Sequence, residues 1–183
     1  MTSANAPLDI LAIDTHVYVD GLCTSPSPTE YKESPMPTTP LTLDPALRFE
    51  ILDLVTRYAT AIDTKDWDLF RSTFANEVVI DYGPAVGSWT DPDAFTTFMR
   101  DGHQPAGRTL HRMSNTTITG TDPLTARTYG DGIVLEADNT KGTLATAWYD
   151  DEITPTSTGL KISRRTVHMI LFTPVGPNLA ATM

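Results

Sequence analysis

Leu47, Ile51, Leu54, Val55, Tyr58 and Ile62 recur at the spacing of one helix face, and Asp44-Pro45 stands just before them as an N-cap with proline at the first helical position. The pattern predicts a long amphipathic helix. Asp66 reads as the cap of a short second helix over 67–74, with Trp67, Phe70 and Phe74 on one side, and Val78, Val79 and Ile80 read as a first strand. Asp91-Pro92 repeats the capping pattern and opens a helix through Phe95, Phe98 and Met99. From Arg108 onward the texture turns to β. Runs over 110–119, 126–137, 143–154 and 160–172 are separated by Gly120-Thr121-Asp122-Pro123, by 138–142 and by 155–159, which predicts three consecutive hairpins. Gly83, Gly87 and Gly130-Asp131-Gly132 read as turn or bulge glycines. Helices first and a meander after them mean an α+β fold, with a curved, mostly antiparallel sheet burying its apolar face on the long helix.

Residues 1–43 have a different texture. Ser25-Pro26-Ser27-Pro28 and the proline-rich stretch 35–40 sustain neither helix nor ladder, so this part reads as an extended arm. Alternation at Ile13, Val17 and Val19 leaves open one added strand within 8–22. The chain thus divides into an arm (1–43), a folded domain (44–175) and a short tail (176–183). Thirteen Lys+Arg against twenty-three Asp+Glu give a net charge of −10, which argues against a nucleic-acid or anionic-membrane surface. The single cysteine, Cys23, excludes an internal disulfide and a thiolate metal cluster, and fits a reducing cytoplasm. No Lys or Arg precedes Lys32, so the start does not read as a signal peptide, and no apolar run reaches the length of a membrane span. The sequon Asn115-Thr116-Thr117 is read as unused. There is no HExxH, phosphate loop, dinucleotide fingerprint or G-x-S-x-G elbow, and the histidines and carboxylates have no tight metal-ligand spacing. Neither cofactor nor metal is expected.

Between 44 and 172 the order of motifs resembles a known family. Tyr58-Ala59-Thr60-Ala61-Ile62-Asp63-Thr64-Lys65-Asp66-Trp67, then Phe74 and Ile80-Asp81-Tyr82, are similar to the opening of SnoaL-like domains. Thr109-Leu110-His111 with Asn115, then Tyr149-x-Asp151, then Gly159-Leu160-Lys161-Ile162 followed by Arg165, continue the resemblance. Two departures are Leu160, where the family usually has tryptophan, and the proline-rich arm. The resemblance implies the cone-shaped α+β barrel shared with scytalone dehydratase, bile acid dehydratase, ketosteroid isomerase and the nuclear transport factor, with a ligand pocket inside the cone. It also implies a homodimer paired through the open sheet face. The fold hosts dehydratases, isomerases, cyclases, epoxide hydrolases and non-enzymes, so the function has to be argued from the site.

Asp63 stands where helix physics disfavours it, because a carboxylate at a helix C-terminus meets the negative end of the macrodipole. It reads either as a solvated or capping carboxylate or, by the resemblance, as the group that fixes and polarises His111 for acid/base work. His111 itself reads as a packed strand histidine unless that partner is present. The other histidines are His16 in the arm, His103 in a loop over 102–107 and His168 in the last strand. Asn115 shares the parity of His111 on an ideal strand, so both are expected to face the pocket. Tyr58, about 140° around the helix from Asp63, reads as core packing or, by the resemblance to the dehydratases, as a phenol that donates to a substrate carbonyl or assists a leaving hydroxyl. Tyr82 has the same double reading. Tyr149 and Asp151 point one way on a strand, with Arg165 across the hairpin. They read as a structural ion pair or as a substrate-orienting group, and Arg164 takes that place if a bulge shifts the strand.

These expectations converge on a cofactor-independent lyase or isomerase acting on a small, hydrophobic polyketide, terpenoid or steroid-like substrate of secondary metabolism, with dehydration ahead of cyclisation. His111, Asp63 and Tyr58 are the expected catalytic residues, and Asn115, Tyr82, Tyr149, Asp151 and Arg165 the expected substrate contacts. Two alternatives stand beside this reading: an epoxide-opening hydrolase, in which Asp63 and Asp151 activate water, and a non-catalytic binding or dimerisation module whose interior is filled by aromatic side chains.

Overall fold

The computed structural model describes residues 44–178 and Ala180. The arm, with its alternating stretch and His16, lies outside the described residues. Helix α1 (Pro45–Thr64) starts where Asp44 accepts a hydrogen bond from Ala46 N, and it ends at Lys65 in the left-handed conformation (φ 56°). Its buried face is Ile51, Leu54, Val55, Tyr58, Ala61 and Ile62. Helix α2 (Trp67–Ser72) is capped by Asp66, and α3 (Pro92–His103) by Asp91. The second helix is shorter than the apolar pattern suggests. Phe74, assigned from sequence to that helix, is the first residue of strand β1 (Phe74–Asp81), and it enters the core from there.

A two-residue strand, β2 (Ser88–Trp89), pairs with β1, and four long strands follow: β3 (Thr109–Thr121), β4 (Leu124–Leu135), β5 (Gly142–Thr156) and β6 (Gly159–Val175). The sheet order is β2-β1-β6-β5-β4-β3, with β3 to β6 forming the three expected hairpins. One pairing has no local signal in the sequence: β1 runs parallel to β6, with Ile80 opposite Arg165. The result is a six-stranded mixed sheet, not closed, with the helices packed on one face. Phe70, Phe74, Phe95, Tyr58 and the α1 aliphatics fill the interior. Phe70, Phe74 and Phe95 lie within 5.7 Å of one another, at the tilted and edge-on angles that aromatic quadrupoles favour.

Two glycine expectations divide. Gly83 and Gly87 have φ of 78° and 127° and serve a turn after β1. Gly130 and Gly132 are neither turn nor bulge residues. They sit in regular pairing inside β4, Gly130 between Met113 and Ala147, and Gly132 between His111 and Ala145. Their missing side chains are what the neighbouring strands require, as the site shows.

Candidate active site

Asp63 lies in the last turn of α1 and reaches the start of β3. Its Oδ1 accepts from the Thr109 hydroxyl at 2.8 Å and from His111 Nδ1 at 2.7 Å, while Oδ2 accepts from the His111 backbone N–H at 2.8 Å. Burial acts to raise the carboxyl's pKa. The bonds from the His111 ring, its backbone N–H and Thr109 outweigh that and hold it below the ordinary 3.8. An ionised carboxylate only accepts, so Nδ1 carries the proton and, in the neutral ring, Nε2 is left as a bare acceptor. Asp63, set against the macrodipole of its own helix, is compensated by these three donors from β3. Lys65 Nζ, just beyond, donates to the carbonyls of Gln104 (3.2 Å) and Ala106 (2.8 Å), which ties the end of α1 to the chain leaving α3.

The ring of His111 lies over Gly132. A Cβ at that position would come within 2.7 Å of His111 Cδ2 and 2.9 Å of Nε2. A Cβ at Gly130 would likewise meet Tyr149 Cε2 at 2.9 Å and Met113 Sδ at 3.0 Å. Directly paired residues share a face, so Gly130, Gly132, Ala145 and Ala147 form one floor of minimal side chains beneath His111 and Tyr149. Met169 and Phe172, paired with Ala147 and Ala145, lie on the same face and are about two-fifths exposed. His111 covers Gly132, Tyr149 and Met113 cover Gly130, and the apolar Met169 and Phe172 border this part of the sheet.

Tyr58 is not brought to His111. Its Oη hydrogen-bonds Tyr82 Oη at 2.8 Å, and its ring stacks on the Arg165 guanidinium, 4.2 Å from Cζ to the centroid. Tyr149 covers Arg165 as well, at 4.7 Å. Burial first, and neighbouring phenols second, push the Tyr82 and Tyr149 hydroxyls up, so they are neutral donors at physiological pH. Arg165 donates twice to Asp151, both bonds 2.8 Å, and both side chains are fully buried. Arg164 instead pairs with Glu152 at the surface. Tyr149 and His111 stand over Gly130 and Gly132, two residues apart on one strand face.

Asn115 departs from the expected geometry. The register between β3 and β4 shifts between Ser114 and Thr117, and Asn115 takes a positive φ of 51° with its side chain exposed. The inward series runs Thr109, His111, Met113, then Thr116 and Ile118, so the bulge removes Asn115 from the face that carries His111. His103 also departs from expectation. It belongs to the last turn of α3 rather than a loop, it is buried, and its ring centroid lies 5.6 Å from that of His111. Its spacing from Phe95 and Met99, four residues at each step, is the signal that finds it. His168 faces the other side of the sheet, stacked on Trp148 and 3.1 Å from Asp150. Among the described residues no three His, Cys, Asp or Glu side chains converge as metal ligands, and no helix is long and apolar enough to cross a membrane.

The sequence profile of the SnoaL-like domain matches residues 46–166. No curated protein matches the chain. Among solved structures, a Novosphingobium aromaticivorans protein provisionally assigned as an aromatic ring hydroxylase superposes with a TM-score of 0.66 at 22% identity, covering 77% of this chain and 99% of that one. A second protein of that organism, provisionally assigned as a scytalone dehydratase, gives 0.64 at 17% identity over 70% and 87% of the two chains. A type 2 hexachlorocyclohexane dehydrochlorinase (LinA) gives 0.63 at 18% identity over 73% and 91%. At these identities the likeness is one of fold. The profile match spans well over half of the sequence, so the chain belongs to the SnoaL-like domain family.

Proposed function

We propose that the protein is a cofactor-independent lyase or isomerase, with dehydration of a small, largely apolar substrate as its first reaction. The observation that carries this reading is the Asp63–His111 pair, whose Nε2 stands over Gly132. His111 Nε2 removes the proton next to a substrate carbonyl, the electron pair forms the new double bond, and the hydroxyl one carbon further leaves. The same imidazolium returns its proton to that hydroxyl, so water departs and the enzyme is restored. Tyr58 and Tyr82 share one hydrogen bond and keep one O–H in surplus, which suits them to donate to the developing oxyanion. A scytalone dehydratase assignment and a dehydrochlorinase among the structural neighbours are in keeping with elimination chemistry.

The epoxide-opening alternative needs a carboxylate free to activate water. Asp151 is committed to Arg165, and Asp63 to His111 and Thr109, which disfavours it. A non-catalytic module is the second reading, favoured by the aromatic filling of the interior by Phe70, Phe74, Phe95 and Tyr58; the Asp63–His111 pair speaks against it. The homodimer is retained as a proposal: Leu110, Ile133 and Leu144 form a cross-strand apolar row on the opposite sheet face, and sedimentation at micromolar concentration tests it. For the chemistry, a panel of cyclic β-hydroxy ketones is followed by the absorbance of the enone formed. His111→Ala is expected to lose at least two orders of magnitude in turnover while staying folded. Turnover near the wild-type rate in that variant refutes the assignment.

A further inference from the structure

His103 is a buried histidine that the mechanism above does not use. Its Nδ1 lies 2.8 Å from the carbonyl of Met99, one turn back in α3. A carbonyl only accepts, so Nδ1 carries the proton and, in the neutral ring, Nε2 presents a bare lone pair. Burial lowers the ring's pKa to about 4. His111 and Lys65 add to that, while the Met99 bond and Asp63 oppose it. Among the described residues Nε2 has no hydrogen-bond partner, and it is not a sealed, orphaned atom. The ring packs between Trp67, 6.4 Å away, and His111, 5.6 Å away. No bond joins the two histidines.

We propose that His103 is a specificity-determining substrate contact: its Nε2 accepts a hydrogen bond from a hydroxyl of the substrate, at the end of the site where α3 meets β3. This rests on His111 marking the reacting centre. A neutral acceptor has no proton to give to a departing hydroxide, so the hydroxyl it holds is retained through the reaction and is distinct from the leaving group. The substrate class is thereby narrowed to molecules with at least two oxygen functions besides the carbonyl: one that leaves and one O–H that stays.

The test uses 2-naphthol and its methyl ether, 2-methoxynaphthalene, which differ only in the donor. Wild-type protein is expected to bind the naphthol about tenfold more tightly in calorimetric titration, the worth of one buried hydrogen bond. His103→Phe is expected to bring the two affinities together while keeping that for the ether, and His103→Gln, which retains an acceptor, to restore part of the preference. Nitrogen-15 shifts of the wild-type protein near pH 7 are expected to show Nε2 of His103 unprotonated. Equal affinities in the wild type, a preference that survives His103→Phe, binding of neither probe, or a protonated Nε2 overturns the proposal. His111→Ala separates it from the catalytic reading: that variant is expected to keep the naphthol preference whether or not turnover is lost.

Discussion

Gly132 is the most demanding position in the site, because the room for His111 is made by the absence of one carbon. Placing that carbon by Gly132→Ala puts a Cβ 2.7 Å from His111 Cδ2, where ordinary contact begins near 3.5 Å, so the ring must retreat by about 0.8 Å. It is held on its other edge by the 2.7 Å bond from Nδ1 to Asp63, so a straight retreat would drive Nδ1 into the carboxylate, and the ring must instead rotate aside, which breaks that bond. Losing a hydrogen bond to a charged group costs about 1.5–3 kcal/mol, whereas Gly→Ala inside a strand returns roughly 0.5–1 kcal/mol of backbone entropy. The strained term wins. The variant is expected to be about 1–2 kcal/mol less stable in urea unfolding, to lose the His111 Nδ1 proton resonance, and to fall 10- to 100-fold in turnover through misplacement of Nε2. A variant as stable as the wild type, with that resonance unshifted, refutes the account of Gly132 as the cradle of the ring.

Three further outcomes follow from the same geometry. Asp151→Ala leaves the Arg165 guanidinium buried without its counter-charge and is expected to cost about 3–5 kcal/mol in urea unfolding, with Asp151→Ala/Arg165→Met recovering part of it. His103 binds its proton less readily in the folded than in the unfolded chain. Folding stability therefore falls as pH drops from 6.5 through about 4, by about 3 kcal/mol in all relative to His103→Gln, whose stability curve is flatter in that window. Asn115→Gly keeps the positive φ and removes an exposed side chain, so turnover and melting temperature are expected to stay at wild-type values.

What could be read from the sequence is what local physics writes. The period of α1, the three aspartate caps and the turn residues between β3 and β6 each have a short-range signature, and they alone give helices first and a meander after. The parallel pairing of β1 with β6 has none, since Ile80 and Arg165 are far apart in the chain and meet only because α1 and α3 bring β1 to that edge. The bulge at Asn115 defeated ideal-strand parity. Glycine in a strand signals either a turn or a close approach, and Gly130 and Gly132, in the middle of a β run with two-residue spacing, are close approaches. His103 was hidden by Gly102 and Pro105, which read as a loop, although α3 runs through Gly102 before it stops. Asp63 is the instructive case: its unfavourable place on the helix marked it as unusual, and only the fold supplied Thr109 and the His111 backbone as partners beside the imidazole.

The central claim is that His111, oriented by Asp63, moves the proton next to the substrate carbonyl. The direct measurement is deuterium wash-in at that carbon, followed by proton NMR in heavy water on a cyclic β-hydroxy ketone that the wild-type protein turns over, with wild-type and His111→Ala protein side by side. The account predicts that wild-type protein exchanges or eliminates that proton and that His111→Ala does neither above one hundredth of the wild-type rate. Exchange or water loss at the wild-type rate without the imidazole contradicts it.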